Sequence, residues 1–542
     1  MSDQPTTAQV GIAGLAVTSA LGRGVEAQLP AVLAGTPAFA PVSRFDVSGR
    51  RVQVAATLPE TAELSVELAV AIADACTDAG LGRPERASTP LFLAVHGGSH
   101  VPALATGLAD AAGLGGVHRV YTSACVSGTT ALADAAALIR AGRLDRAVVA
   151  GGYLVESDQY ALFDAGRALA ADGVARPFSQ DRHGLLLGDA VVAVVLEATD
   201  RSDVRGHRPL ARLVGWGRAG DGHHPCQPAP DGRGLARAIS AALRRAGIEP
   251  ESLGYVNANA TGAELTDAAD AAALRTALGA VDVPVSSTKS IHGHALEASG
   301  LLEFAITVLS LAEGKLGVNG GYLGPDPDCA LDLILDAPRP VTKPYALTVN
   351  SAFGGANTAL VITNEDHDSS ALIESNVNPV VVREVGWRLA EDGEPPVVAG
   401  FIHSSFSPLV AAVADRVLAE HYLDPAFADA DRERTAIVLV SRDGDQDSAD
   451  EVRQIVAAGR RPGPLFFFQS VPNSIAGHVS AHWGLGGPVL CLSPTTDPLT
   501  GGLAEAELLL SDGDADEVLL VLVDHGGAHG LLVTKGETAR GE

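Results

Sequence analysis

Short apolar runs alternate with longer stretches rich in Ala and Leu along the first two thirds of the chain. Runs such as PLFLAVHGG, RAVVAGGYL and AVVAVVLEA have the length and the Val content of buried strands. The stretches between them, among them ELAVAIADACTDAG and GRGLARAISAALRRAG, have compositions typical of helices. This alternation predicts an α/β protein in which helices cover the faces of a sheet.

One polar segment separates two parts of this pattern. Residues 364–378, NEDHDSSALIESNVN, follow a completed strand pattern and are rich in polar and turn-forming residues. Segments of this kind commonly connect domains. The sequence therefore predicts a large domain at 1–363, a linker at 364–379 and a second domain at 380–542.

The second domain repeats part of the first. The motif GLGG at 113–116 recurs at 484–487, a shift of 371 residues (484 − 113), and apolar positions match in one ungapped register over about forty residues. At this shift Cys125 aligns with Thr496, so the second copy lacks the thiol. We therefore expect residues 380–542 to form an additional half-domain without a nucleophile.

Composition narrows the class of function. The chain has 38 Lys and Arg against 65 Asp and Glu, and its net charge of −27 at pH 7 argues against nucleic acid or an anionic membrane as the main partner. The five cysteines lack the spacing of a disulfide framework or a zinc site. No apolar run approaches the roughly 20 residues of a membrane span. These features indicate a soluble cytoplasmic protein with reduced thiols.

The segment TSACVSGTTALADAAALI places Cys125 between an apolar strand and an Ala-rich helix. A thiol at a helix N-terminus faces the positive end of the helix dipole, which lowers the thiol pKa and favours the nucleophilic thiolate near neutral pH. A buried structural cysteine would fit the same segment, as it fits Cys76, Cys329 and Cys491. On this segment alone both interpretations stay open.

Further segments make the first domain resemble the β-ketoacyl synthases of the thiolase-fold superfamily. The segments GYVNANATGAELTDAAD, SSTKSIHGHALEASGLLE and NSAFGGANTALVI follow Cys125. Their order and rough spacing are those of the family motifs that carry the first histidine, the lysine with the second histidine, and the glycine-rich gating loop. The resemblance implies a thiolase-like α/β/α/β/α layered core, followed by an additional half-thiolase-like domain.

The resemblance also implies a role for each matching residue. Cys125 would take an acyl group from the thioester of an acyl carrier protein, and His294 would hydrogen bond the thioester carbonyl or enolate oxygen. The backbone N–H groups of Cys125 and Phe353, the gating aromatic, would form the oxyanion hole. Lys289 and Glu303 would support the orientation of His294, or would merely form an ion pair that holds two loops.

Asn259 departs from the family pattern. It stands where the VNAHGTGT-like motif has its first histidine, and an amide can donate a hydrogen bond but cannot carry a proton. In the family this histidine assists decarboxylation of the malonyl extender. Ketosynthases that lack it resemble the non-elongating kind, so the departure puts decarboxylative condensation in doubt.

Several further positions match residues that line the substrate pocket in the family. Thr261 keeps one of the two hydroxyls that would bind the phosphopantetheine arm, whereas Ala263 replaces the other. His224 falls where the family has a pocket-lining histidine and Cys226 where it has a threonine, and we expect pocket lining there and not a zinc site. The loop before Cys125 is short for the family. FFFQSVPNSIAG in the second domain is therefore a candidate for the missing pocket wall.

These observations predict an acyltransferase that takes an acyl group from a carrier-protein thioester onto Cys125 and transfers it, in polyketide or fatty-acid-type secondary metabolism. One alternative is an elongating β-ketoacyl synthase that performs decarboxylative Claisen condensation. Another is a non-catalytic subunit, like a chain-length factor, that shapes the pocket of a partner. This last interpretation suits residues 380–542 better than the first domain, which keeps Cys125 and His294.

The expected partner is an acyl carrier protein, which brings its own phosphopantetheine arm, so neither a cofactor nor a metal is expected. We also expect a homodimer or another ketosynthase-type oligomer, with no nucleic acid and no membrane. Two groups of arginines are either docking sites for the acidic carrier or solvated helix faces: Arg140, Arg143 and Arg146, and Arg233, Arg237, Arg244 and Arg245.

Overall fold

The computed structural model describes residues 8–367, 377–422 and 430–536. The strands are β1 Val10–Ser19, β2 Gly22–Arg23, β3 Ala40–Pro41, β4 Val54–Ala55, β5 Leu91–Ala94, β6 Val117–Tyr121, β7 Arg146–Tyr153, β8 Ala190–Ala198, β9 Ala211–Gly220, β10 Leu253–Asn257, β11 Val285–Ser286, β12 Lys315–Leu316, β13 Arg339–Pro340, β14 Tyr345–Ala352, β15 Ala356–Thr363, β16 Pro379–Arg388, β17 Thr435–Ser441, β18 Val489–Ser493, β19 Glu517–Asp524 and β20 Gly527–Lys535.

The helices alternate with these strands, as the sequence predicts. They are α1 Gln28–Ala34, α2 Leu64–Asp78, α3 Arg83–Ala87, α4 Val101–Ala112, α5 Ser127–Arg140, α6 Ser157–Ala165, α7 Thr199–Val204, α8 Arg233–Ala246, α9 Glu264–Leu278, α10 Lys289–His292, α11 Ser299–Glu313, α12 Leu389–Asp392, α13 Phe406–Tyr422, α14 Gln446–Ala457, α15 Phe466–Gln469, α16 Pro472–Trp483 and α17 Pro498–Asp512.

Two sheet layers enclose a pair of buried helices. Strands β1, β8, β7, β5 and β6 form one layer, and β9, β15, β14, β10 and β11 form the other. Strands β1 and β9 pair over residues 10–12 and 211–213, where the sheet passes from one layer to the other. Helices α5 and α11 contact strands of both layers, α2 packs on the outer face of the first, and α8 packs on the outer face of the second. This arrangement confirms the predicted α/β/α/β/α core.

The residues of α5 and α2 match the surroundings of each helix. Helix α5, SGTTALADAAALIR, has no polar face, and all of its residues are buried. A helix that is enclosed on every side needs small or apolar residues all round. Helix α2 buries Leu68 and Ile72 against the strands and exposes Asp74 and Thr77, because only one of its faces meets the sheet.

The C-terminal unit repeats the first sheet layer strand by strand. Its order β18, β17, β19, β20, β16 corresponds to β6, β5, β7, β8, β1. The shift of 371 residues (484 − 113) carries the first residue of α5 onto the first residue of α17, and both bounds of β7 onto those of β19. The predicted additional half-domain is therefore confirmed.

The two copies meet edge to edge through β6 and β18. These strands are antiparallel, with Tyr121 opposite Leu492 and Val120 opposite Ser493. At the repeat shift Tyr121 is equivalent to Leu492, so equivalent positions of the two copies face each other. That is the geometry of an isologous contact about a twofold axis, here formed within one chain. The strand pairing joins both units into one sheet.

A buried cluster of charges crosses the same junction. The Arg218 guanidinium on β9 donates to the Asp134 carboxylate on α5, to Asp512 Oδ2 at 2.7 Å and to Asp514 Oδ2 at 2.6 Å. All four side chains are nearly inaccessible to solvent. A buried guanidinium is tolerated where carboxylates satisfy its donors. Arg218 therefore ties the first domain to the C-terminal unit.

Several arginines of the two predicted clusters also have internal partners. Arg140 is buried and donates to the backbone oxygen of Val214 at 2.6 Å. Arg245 donates to the backbone oxygen of Asp512 at 2.5 Å, and Arg237 donates to that of Gly220 at 2.6 Å. These bonds tie the three side chains to the fold and the junction, and the docking role of the two arginine clusters stays a prediction.

The predicted linker lies between Thr363, where β15 ends, and Pro379, where β16 begins. Residues 368–376 of this linker lie outside the described residues. The exact domain limits stay a prediction, since the two units share one sheet.

Within the described parts of the chain, no helix combines the length and the apolarity needed to cross a membrane. The expected homodimer also stays a prediction, and the edge of β6 is paired within the chain.

Replacing Arg218 with Met should lower the free energy of unfolding by about 3–5 kcal/mol, because three buried carboxylates lose their shared cation. The matched control is Arg201→Met, which breaks an exposed pair with Asp145 of 3.1 Å and should cost less than about 1 kcal/mol. Urea denaturation measures both changes in the free energy of unfolding. Equal small losses would show that the buried cluster does not stabilise the junction.

Candidate active site

Cys125 lies in a tight turn between β6 and α5. The turn spans Ala124–Val126, and Ala124 has a φ of 51°, a left-handed conformation that non-glycine residues seldom adopt. The C-terminal unit holds this turn from outside: Ser123 Oγ accepts the N–H of Cys491 at 2.8 Å, and Asn473 Nδ2 donates to the Ser123 backbone oxygen at 3.0 Å. The second unit therefore fixes the loop that presents the thiol.

A chain of hydrogen bonds leads from the thiol to a buried carboxylate. Cys125 Sγ lies 3.1 Å from His294 Nε2, and His294 Nδ1 lies 3.0 Å from Ser299 Oγ. Ser299 uses its only hydroxyl proton on Glu303 Oε1, at 3.0 Å. Ser299 Oγ must then accept from His294 Nδ1–H, because a hydroxyl has one donor. This tautomer leaves the lone pair of His294 Nε2 pointing at the thiol.

The thiol and the imidazole are both neutral in the free protein. Burial and, to a smaller extent, the Glu297 carboxylate raise the pKa of Cys125 to about 12, against the opposing effect of Lys289. Burial, Lys289 and His292 hold the pKa of His294 well below its usual range. The sequence-based expectation of a lowered thiol pKa is therefore wrong, because desolvation outweighs the helix terminus. The nucleophile needs His294 to accept its proton during attack.

Lys289 connects this chain to Asn259. Its ammonium lies 2.7 Å from Glu303 Oε1 and donates to Asn259 Oδ1 at 3.3 Å, and all three side chains are buried. Asn350 Nδ2 donates to the other Glu303 oxygen at 2.6 Å. Asn259 also hydrogen bonds with the buried carboxyl of Asp270. Because an amide has two N–H donors and takes up no proton near neutral pH, Asn259 can offer the cavity an N–H donor but no base.

These side chains surround one cavity of about 450 Å³. Among the sequence-predicted site residues, those that line it are Cys125, His294, Asn259, Thr261, Phe353 and Cys226. Lys289 and Glu303 lie behind this wall. His224 is not among the lining residues: its Nδ1 accepts the N–H groups of Cys226 and Gln227, each at 3.1 Å, and so shapes the loop that carries Cys226.

The C-terminal unit supplies one wall of the cavity. Phe467 contacts Phe353 with ring centroids 5.1 Å apart, and it contacts Phe163 at 4.9 Å. A β-carbon at Gly166 would lie 2.4 Å from the Phe467 ring, so this close approach requires glycine. The cavity lining continues through Ser470, Val471 and Pro472. The prediction that FFFQSVPNSIAG supplies pocket wall is confirmed.

Three further polar residues were not singled out from the sequence. Ser299 links His294 to Glu303, as described above. His96 Nδ1 lies 2.9 Å from Glu297 Oε1, and both residues line the cavity. His96 directly follows the apolar strand run, and Glu297 stands in the GHALEASG segment, where only the histidine was considered. Within the described residues, no cluster of three His, Cys, Asp or Glu side chains is placed to hold a metal ion.

Three regions of the chain match family models. Residues 210–320 match the model described as "Beta-ketoacyl synthase, C-terminal domain". Residues 92–202 match a model of the "Beta-ketoacyl synthase, N-terminal domain", and residues 417–527 match a second model with the same description. The repeated match falls on the two structurally equivalent units, which agrees with the internal repeat.

The chain is also similar to known ketosynthases, in sequence and in structure. The 3-oxoacyl-[acyl-carrier-protein] synthase 2 of Synechocystis sp. is 37% identical over 188 residues, which are 34% of this chain and 45% of the relative. The match thus spans about half the length of that relative. The ishigamide ketosynthase/chain length factor structure is 26% identical with a TM-score of 0.62, covering 66% of this chain and 100% of that one. The PfaC keto synthase–chain length factor covers 97% of this chain and 78% of its own, with a TM-score of 0.83 at 14% identity, which shows a shared fold.

Replacing Glu297 with Gln should make Cys125 alkylate faster, since this carboxylate is the charge that contributes most to raising the thiol pKa. A charge interaction of about 1 kcal/mol corresponds to about a five-fold gain in thiolate and in rate. Iodoacetamide labelling at pH 8 with peptide mapping measures it. Glu313→Gln, an exposed change at the end of α11, should leave the rate unaltered. An unchanged or slower rate in Glu297→Gln would contradict the assignment.

Proposed function

The chain belongs to the β-ketoacyl synthase family, and we propose that it transfers acyl groups from the thioester of an acyl carrier protein through Cys125 without decarboxylative elongation. The contact of 3.1 Å between Cys125 Sγ and His294 Nε2 is the observation that carries this proposal. It supplies a nucleophile with a base, which acyl loading requires.

Loading follows from the tautomer of His294. As Cys125 Sγ attacks the thioester carbonyl carbon, its proton passes to His294 Nε2, and Ser299 with Glu303 holds the imidazolium in place. Backbone N–H groups of Cys125 and Phe353 stabilise the tetrahedral oxyanion. The carbon–sulfur bond to the carrier arm then breaks, and the departing thiolate takes the proton from His294. The result is an acyl-Cys125 thioester and a free carrier thiol.

Decarboxylation lacks its proton-transferring residue. Asn259 occupies the position of the family histidine, and its oxygen already accepts from Lys289 at 3.3 Å. The cavity lining also includes the carboxylates of Glu156, Asp158 and Glu297. These carboxylates disfavour the carboxylate of a malonyl group, because like charges repel strongly at low dielectric. Both features support acyl loading over chain extension.

The C-terminal unit acts as a structural partner within the chain. Thr496, its equivalent of Cys125, is exposed, and the unit instead contributes Phe467 to the cavity and Asn473 to the turn before the thiol. This role resembles the pocket-shaping role that the sequence suggested for residues 380–542. The carrier arm would pass Thr261, whose hydroxyl lies at the cavity lining.

Incubation with an acylated carrier protein should add one acyl mass to the chain, on Cys125, and Cys125→Ala should abolish it. Cys76→Ala, a buried cysteine of α2, is the control and should load normally. Release of labelled carbon dioxide from malonyl carrier should stay near background, since loss of one general acid–base contribution costs about 10²–10⁴-fold. Loading at another cysteine, or carbon dioxide release with chain extension at rates comparable to loading, would contradict the proposal.

Phe467→Ala should shift loading toward longer acyl chains, because removal of the ring opens the wall contributed by the C-terminal unit. The neighbouring Phe468 packs on Phe401 with centroids 5.6 Å apart and does not line the cavity. Phe468→Ala is therefore the matched control for loss of stability. Competition among carriers with acyl chains of different length, read by intact mass, tests this. The same length preference in both variants would show that Phe467 does not bound the acyl chain.

A further inference from the structure

The cavity contains a second imidazole with its own carboxylate. His96 Nδ1 lies 2.9 Å from Glu297 Oε1, so Nδ1 carries the proton that it donates to the carboxylate. His96 Nε2 lies 3.0 Å from Gln159 Nε2, whose N–H therefore donates to the ring. In this neutral tautomer Nε2 holds a lone pair. A carboxylate that fixes the tautomer in this way is the arrangement of a general base.

Both members of this pair are open to the cavity that contains Cys125. The His96 side chain is 38% exposed, whereas that of Glu297 is 5% exposed. Although burial lowers it, the carboxylates of Glu297 and Glu156 raise the pKa of His96 above its usual value. The imidazole is thus more basic than an ordinary histidine and reaches the same space as the thiol.

Glu297 has an unused acceptor. Its Oε2 is buried and lacks a hydrogen-bond partner among the described residues. An unpaired buried carboxylate oxygen is costly unless a ligand supplies a donor. Glu156 and Asp158 also line the cavity. This wall suits a molecule that brings N–H or O–H groups.

His294 is the base of the loading step. Its Nδ1 is bonded to Ser299 and its Nε2 faces Cys125 Sγ. Once Cys125 is acylated, the acceptor that removes the acyl group must lose a proton of its own if it attacks through nitrogen or oxygen. A carbanion formed by decarboxylation would need no such base, and Asn259 disfavours that route.

We propose that His96 and Glu297 form a second acid–base pair that activates a protic acyl acceptor, an amine or an alcohol, for attack on acyl-Cys125. This inference rests on the proposed acyl loading and names the acceptor class. The acceptor displaces the Gln159 amide from His96 Nε2 and donates a second hydrogen bond to Glu297 Oε2.

The transfer step balances without a further reagent. The nitrogen or oxygen of the acceptor attacks the thioester carbonyl carbon, and its proton passes to His96 Nε2. The new carbon–nitrogen or carbon–oxygen bond forms and the carbon–sulfur bond to Cys125 breaks. The departing thiolate is protonated at the site, from His96 through solvent or through His294. An amide or ester leaves, and the free thiol is restored.

The test uses the full chain, acylated on Cys125 and freed from carrier. Loss of the acyl mass in a single turnover is followed after addition of butylamine, butanol or buffer alone, and products are identified by mass spectrometry. Butylamine or butanol should accelerate the loss and yield the amide or the ester. The product distinguishes the two acceptor chemistries, and either supports the proposal.

Single substitutions distinguish a chemical role of His96 and Glu297 from a structural one. His96→Ala should lower the transfer rate, relative to its own loading rate, by about 10²–10⁴-fold, and added imidazole should restore part of it. Glu297→Gln should slow transfer even though its thiol alkylates faster. His529 forms a comparable 2.9 Å pair with Glu384 outside the cavity, and His529→Ala should keep the ratio of transfer to loading.

The experiment distinguishes failure of acyl loading from failure of the second acid–base pair. If Cys125 does not load at all, the proposed function fails. If Cys125 loads but neither probe accelerates loss of the acyl group, or the loss does not depend on His96, the second acid–base pair is refuted while loading stands. Removal of the acyl group by malonyl carrier alone would likewise overturn it.

Discussion

The pairing of β6 with β18 is the constraint on which the rest of the structure depends. An unpaired sheet edge leaves a row of N–H and C=O groups without partners. Here Tyr121 pairs with its own repeat equivalent, Leu492, so one chain makes the contact that an isologous dimer would make. Arg218 fixes the same junction through Asp512 and Asp514 of the C-terminal unit. The pairing brings Ser123 to Cys491 and Phe467 to Phe353, and the thiol-bearing turn and the cavity wall follow from it.

Burial determines the chemistry of the site. The thiol of Cys125 and the imidazole of His294 are held neutral by desolvation, and the hydrogen-bond chain through Ser299 makes the imidazole a proton acceptor. Asn259 lines the same cavity, and its amide accepts a hydrogen bond from Lys289 but cannot carry a proton. The same cavity contains His96 with Glu297, so the chain has one base beside its nucleophile and a second base facing the space for an acceptor.

The sequence was most informative where local pattern and motif order suffice. Alternating runs predict the layers, and the repeat at 113–116 and 484–487 predicts the extra half-domain. The resemblance to ketosynthases implies one site for Cys125, Asn259 and His294, and these three residues line one cavity. The sequence was less informative about properties that depend on burial and on contacts between distant parts of the chain. The sign of the Cys125 pKa shift depends on desolvation, and His96 and Glu297 meet across 201 positions of the chain. His224 shapes a loop and lies away from the cavity lining, which no local pattern indicates.

The central claim is that a single chain contains the complete acyl-accepting site because its C-terminal unit takes the place of a second protomer. Acyl loading per chain, measured together with sedimentation velocity over a dilution series, tests this most directly. The account predicts that a single chain of 55.2 kDa loads one acyl group at every concentration. Loss of loading in step with dissociation of a larger species would contradict it.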